Sequence, residues 1–399
     1  MTTRVGKVAL VQIGWGDYDA VSLTGTPIPL TAQLKILTAI PMNQPTESSP
    51  ETDPSTHSSM SAGDVLPPVQ APAAGFIMQL FLIPLLIVSI IVAVWFMFSY
   101  LARTGNDPAE LVNDISRVNH SSWQKALTLA QLIRDPQQTE LRSNRELADK
   151  LAGILEDQVE SGRSESDYLY LRIYLCRVLG EFDVDSGFDA LAQAAVKEER
   201  IEDVQVRKAA LQALVILAGN LDDATVAKHK TALESIIKSS EEYADVGDEK
   251  IRRQSIRSTA TYVLGLFPGE DANKRLGELL NDPSLDVSYN AAIGLARHGD
   301  ARALPILEEM LDPPEEALKD PTPENSQVKI DNQTEWKRGH VILNALRSIG
   351  KMKTKYPQME LGALPDAIKK LSEDESQPSS LRIQAGEVLR SIAANSQPQ

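Results

Sequence analysis

The hydrophobic and polar positions divide the chain into four stretches. Residues 1–40 carry short apolar runs at 8–13 and 34–40, which would suit strands but are too few to build a core. Residues 41–75 hold seven Pro, six Ser and three Thr and almost no large apolar side chains. So little apolar surface cannot offset the entropy of ordering the segment, so a disordered linker is expected there. Residues 76–101 are 26 positions without a charge. From residue 106 to 395, apolar residues recur at spacings of three and four, the pattern of amphipathic helices.

The uncharged run predicts one transmembrane helix, because a bilayer core takes about 20 apolar residues as a single helix. Phe76 and Leu101 bound the run. Pro84 falls in its first third, where a kink is tolerable, and Trp95 lies toward the end expected to meet an aromatic belt. The apolar core of a signal peptide is shorter and follows a basic patch near the N-terminus, whereas this run starts 75 residues in with no basic lead. Met42 opens a polar stretch and is a candidate for the true start. Arg103 and Arg117 flank the C-terminal end and only Asp64 flanks the other, so the positive-inside rule puts the large C-terminal part in the cytoplasm. Asp107, Glu110 and Asp114 dilute that signal.

Self-similarity organises the rest. Residues 282–311 read as a short acidic turn, a helix with paired Ala291 and Ala292, a Gly299-Asp300 break, and a second helix. Glycine suits the left-handed helix stop and aspartate the next N-cap. One frame recurs six times, an anchor position followed seven residues later by Leu: Arg172, Arg207, Arg257, Ser288, Gly339 and Arg382. The anchors are 35, 50, 31, 51 and 43 residues apart, enough for a helix pair with turns and, in the longer intervals, inserted loops. Degenerate helices around 123–133 and 147–155 would close the N-terminal end. One helix pair cannot bury both apolar faces, so stacking is required.

These motifs resemble HEAT-like repeats, in particular the PBS-lyase HEAT-like subtype with its acidic-Pro, Val-Arg, Ala-Ala, Leu-Gly and Gly-Asp pattern. The match is clearest over 282–311 and loses its Val-Arg at Gly339. The resemblance implies an all-α solenoid of stacked helix pairs behind a tail (1–75) and a span (76–101). The layout is similar to that of membrane-anchored bacterial proteins of unassigned function.

Composition narrows the chemistry. The formal net charge is −15, and 36 basic against 49 acidic residues follow residue 105, which argues against a nucleic-acid partner. The single cysteine, Cys176, excludes an internal disulfide framework and sits on an apolar helix as a small core residue. The five histidines are His57, His120, His229, His298 and His340. None precedes Glu and no two lie three or four apart, so neither a zinc pair nor the His-Glu pairs of the di-iron HEAT proteins are present. His298, at a helix C-terminus, would complement the dipole as a charged imidazole. Each repeated arginine is expected to pair with a carboxylate in the preceding turn or the adjacent repeat, such as Asp167 or Asp203. The insertion at 312–335, with four Pro and seven Asp or Glu, is a solvated spacer or a binding lip. Asn119 and Asn332 begin glycosylation triplets that matter only in a secretory setting.

The expectation is therefore a single-span membrane protein whose acidic solenoid binds protein partners on a concave surface of stacked second helices. No catalytic, metal or cofactor residues are assigned. A bilin-lyase-like or other prosthetic-group-handling HEAT enzyme is the alternative.

Overall fold

The computed structural model describes residues 74–104, 107–135, 137–244, 246–318 and 333–394. The possible strands and linker before residue 74, and the heart of the insertion at 319–332, lie outside the described residues. Among the described residues every regular element is helical, with no strand. The chain divides into two compact units at Ala102 and Arg103.

In the first unit, helix α1 runs Ala74–Thr104 and contains the whole uncharged run, Phe76 and Leu101 included. Pro84 sits inside it. Its segment Phe81–Phe98 has a mean hydropathy of 2.8 and no buried residue.

The second unit is built from helices that alternate between two rows. The first row consists of α3 (Ser122–Arg134), α6 (Ser166–Gly180), α8 (Asp203–Asn220), α11 (Gly247–Leu264), α13 (Leu285–Arg297), α16 (Gln333–Lys355) and α18 (Ser379–Ala394). Each of these packs on the next. The second row consists of α2 (Pro108–Ser116), α5 (Arg145–Glu160), α7 (Phe188–Val196), α10 (Lys230–Ser240) and α12 (Glu270–Leu279), again in successive contact. It ends with α14 (Leu304–Glu309) against α17 (Leu364–Glu373). Single-turn helices α4 (Thr139–Arg142), α9 (Asp223–Val226) and α15 (Glu315–Leu318) fill connections. Part of the insertion expected as spacer or lip is thus helical, in α15 and the start of α16.

Local chemistry sets the helix ends. Asp107 caps α2 by accepting from the Ala109 N–H at 3.0 Å, with Pro108 in the first turn where its missing N–H costs nothing. Asn144 caps α5 through the Leu147 N–H at 3.0 Å. Helix α13 stops at Gly299, whose φ is +73°; the Gly299 N–H donates to the Ala296 carbonyl and the Asp300 N–H to the Leu295 carbonyl. Those two bonds are the Schellman arrangement, and the left-handed residue is the reason it is a glycine. Asp300 then accepts from the Arg302 N–H at 3.0 Å to begin the next helical segment.

Between the rows lies one continuous apolar core. Small residues set the spacing within the first row. Ala209, Ala210, Ala291 and Ala292 are buried. A Cβ on Gly180 would lie 2.9 Å from the Ala213 Cα, and one on Gly265 would lie 2.6 Å from the Gly294 Cα. Helices α6 and α8, and α11 and α13, therefore touch backbone to backbone. The first row also bends: Lys355 Nζ, at the end of α16, is 3.6 Å from Asp223 Oδ2, at the start of α9, with α11 and α13 intervening in the row.

Candidate functional site

All six anchor positions fall on consecutive first-row helices: Arg172 on α6, Arg207 on α8, Arg257 on α11, Ser288 on α13, Gly339 on α16 and Arg382 on α18. The leucines seven residues on, from Leu179 through Leu346, are fully buried, and Leu389 is partly so.

Four anchors do the same job. The last carbonyls of an α-helix have no partner inside it and carry partial negative charge. Arg172 Nη2 donates to the Arg163 carbonyl beyond α5 at 3.0 Å, and Arg207 Nε donates to the Ala195 carbonyl near the end of α7 at 2.8 Å. Arg257 Nη1 donates to the Glu242 carbonyl just past α10 at 2.9 Å, and the Ser288 hydroxyl donates to the Leu280 carbonyl after α12 at 2.8 Å. Serine thus keeps the carbonyl contact where the arginine is missing, but reaches no carboxylate.

The three arginines reach forward as well. Arg172 meets Asp203 of the next repeat at 3.1 Å, and Asp203 in turn accepts from the Glu199 and Arg200 N–H groups of its own turn. Arg257 holds Asp282 through two bonds of 2.8 and 2.9 Å. Arg207 contacts Glu198 and Glu242, which Arg253 also binds, at 2.8 and 2.6 Å. Each arginine therefore links the end of a second-row helix, or the turn just after it, to an acidic residue at or before the start of the next first-row helix. Asp167 takes no part: it binds His120 Nδ1 at 2.7 Å. Arg382 is half-buried, and its Nε has no hydrogen-bond partner. Gly339 has open space around it and makes no anchor contact.

His298 does cap the end of α13, but not in the expected charge state. Burial, and then the neighbouring Arg297 cation, hold its pKa below the ordinary 6.5. The neutral ring donates from Nε2 to the Gly265 carbonyl at 3.1 Å, so His298 ties α13 to α11 by a hydrogen bond rather than by charge. Cys176 is fully buried, and burial raises its thiol pKa to about 12. Among the described residues no cluster of His, Cys, Asp and Glu could hold a metal ion.

A cavity of about 660 Å³ opens on the first row. Tyr262 of α11, Ile293 and Arg297 of α13, the C-terminal half of α16 and one face of α18 line it, and Asp223 and Lys355 face it together. Burial raises the pKa of Tyr262. Spacing in the sequence could not reveal this cavity, because its walls come from four helices and one turn about 170 residues apart along the chain.

On α1, Pro84 is exposed and Trp95 is 63% exposed, its ring meeting Phe96 edge-on at 5.2 Å.

The two stacked rows define the class, an α-solenoid. Residues 249–320, which span α11 to α15 with Arg257, Ser288, Gly299 and Asp300, match the family model for HEAT repeats. The solenoid is built of HEAT-like repeats. A comparison with curated proteins finds no match.

Proposed function

We propose that the protein is a single-span membrane scaffold. Residues 76–101 cross the bilayer, and the HEAT-like solenoid presents a protein-binding surface beside it. The observation that carries this reading is α1: 18 consecutive residues of mean hydropathy 2.8, none of them buried. A helix left that bare in water would expose a continuous apolar surface far beyond what single-domain proteins show, whereas a bilayer covers it. The solenoid supplies a long surface, which such folds use for partner binding more often than for catalysis. Arg103 and Arg117 favour the cytoplasmic face, in a bacterium the inner side of the inner membrane. The reading assigns no enzymatic step, no cofactor and no nucleic-acid partner. The resemblance to the PBS-lyase subtype enters at the level of the repeat alone.

The test is crosslinking capture from intact membranes with a tag at the C-terminus. The expected result is a defined protein partner whose capture is lost when charges along the first row are reversed. Full extraction of the protein by alkaline carbonate, or capture indifferent to every surface substitution on the solenoid, would overturn the reading.

A further inference from the structure

The first-row cavity has a charge inconsistent with the rest of the chain. In a protein of net charge −15, four cations line it: Arg297, Arg347, Lys351 and Lys355. Two carboxylates face them. Asp223 is engaged by Lys355 at 3.6 Å, and Glu387 accepts from the Gln384 amide at 3.2 Å. Among the described residues, no carboxylate lies within ion-pair distance of Arg297, Arg347 or Lys351, whereas Arg172, Arg207, Arg253 and Arg257 of the same row are held by one, two or three. The three cations also act on one another: burial first, then Arg297 and Arg347, depress the pKa of Lys351. Like charges gathered against a partly dry wall raise the free energy of the empty protein, and an anion placed among them lowers it.

Apolar surface predominates in the rest of the lining, to which Asn344, Ser348, Thr354, Gln384 and Ser391 also contribute. Ile293 of α13 and Val388 of α18 supply side walls, and the half-buried ring of Tyr262 adds an aromatic surface. A volume of about 660 Å³ falls within the roughly 300–1,000 Å³ of ordinary small-molecule sites, which are mostly apolar with a few convergent polar groups. An arginine pair with a lysine suits a phosphate or carboxylate head, since guanidinium groups present paired donors to such oxygens.

We propose that this cavity binds a compact amphiphilic anion, a phosphate or carboxylate head on an aryl or short acyl body, with Arg297, Arg347 and Lys351 around the head and Ile293 and Val388 against the body. The site is independent of the membrane scaffold reading, and either can fail alone.

The test is titration calorimetry on the full chain in maltoside micelles, with 1-naphthyl phosphate as the probe and inorganic phosphate and 1-naphthol as the two halves of its chemistry. The expected result is one 1-naphthyl phosphate per chain, bound at least tenfold more tightly than either half. Arg347→Gln with Lys351→Gln weakens it tenfold or more at an unchanged melting temperature. Lys351→Arg stays within twofold, and Glu387→Gln tightens binding. Equal affinity for 1-naphthol would overturn the proposal, as would equal affinity for inorganic phosphate. So would binding that the double variant leaves intact. Should the double variant not fold, the Lys351→Arg and Glu387→Gln variants carry the same decision: a tenfold loss in the first or no gain in the second overturns it.

Discussion

Arg257 and Asp282 meet in a two-point ion pair, 2.8 and 2.9 Å, between consecutive repeats, and both side chains are nearly closed to solvent. Truncating the carboxylate would leave a buried guanidinium with no counter-charge, only the Glu242 carbonyl and the face of the Tyr243 ring. Asp282→Ala should therefore destabilise the solenoid by about 3–5 kcal/mol, the usual cost of orphaning a buried charge. Replacing both partners by well-packed apolar residues should recover much of that loss. Urea unfolding of the single and double variants measures both, and a single variant that unfolds like the parent contradicts the role given to the pair.

Backbone contact within the first row gives a second expectation. A methyl on Gly265 has only the Gly294 backbone to push against, and a backbone cannot swing away as a side chain can. Gly265→Ala should cost about 1–3 kcal/mol or more, as overpacking does. Gly153 of α5 and Gly386 of α18 have nothing within 4 Å of a new Cβ. Alanine at either should stabilise the protein by about 0.5–1 kcal/mol, through helix propensity and a less free unfolded chain. Thermal melts of the three variants separate close packing from propensity.

The pH dependence follows from His298. Its folded pKa lies below the unfolded 6.5, so the unfolded chain takes up the proton first as pH falls. The neutral ring's contribution is full above pH 6.5 and is lost as pH drops from there toward the lowered value. Stability should thus rise with pH across that window. Gln in place of His298 keeps a donor and removes the titration, so its denaturation midpoint should lose this component of the slope.

Cys176 offers a probe of the core. A fully buried thiol with its pKa pushed up to about 12 presents almost no thiolate at neutral pH. Ellman's reagent should leave it untouched in the folded protein and react with one equivalent in denaturant. Rapid reaction without denaturant would show that α6 opens.

Membrane insertion of α1 is testable by one charge. Ile90 lies at the middle of the apolar segment, where an arginine costs about 2.5–3.5 kcal/mol on insertion scales. Ile90→Arg should reduce the fraction of protein that resists alkaline carbonate. The same change at the margin of the run should matter much less.

The two-row solenoid was readable from sequence because its signals are local. The spacing from anchor to leucine lies within a single helix, and the Gly299-Asp300 break is two adjacent residues with defined backbone needs. The carboxylate partners were only partly readable. Asp203 follows Arg172 by 31 residues, Glu242 follows Arg207 by 35, and Asp282 follows Arg257 by 25, so no constant offset marks them. Asp167, nearer to Arg172 in sequence, faces the wrong way and binds His120. His298 shows a second limit: its place at a helix end was legible, but its protonation depends on partial burial and then on Arg297. The cavity was illegible because the bend that forms it accumulates over several helix pairs.

That bend closes on the contact between Lys355 and Asp223, both of them largely in water. An exposed ion pair contributes only about 0–1 kcal/mol and is screened over about 8 Å at physiological ionic strength. The curvature is therefore held by the packing of α11, α13 and α16, and removing the ion pair at the mouth of the cavity costs the fold little.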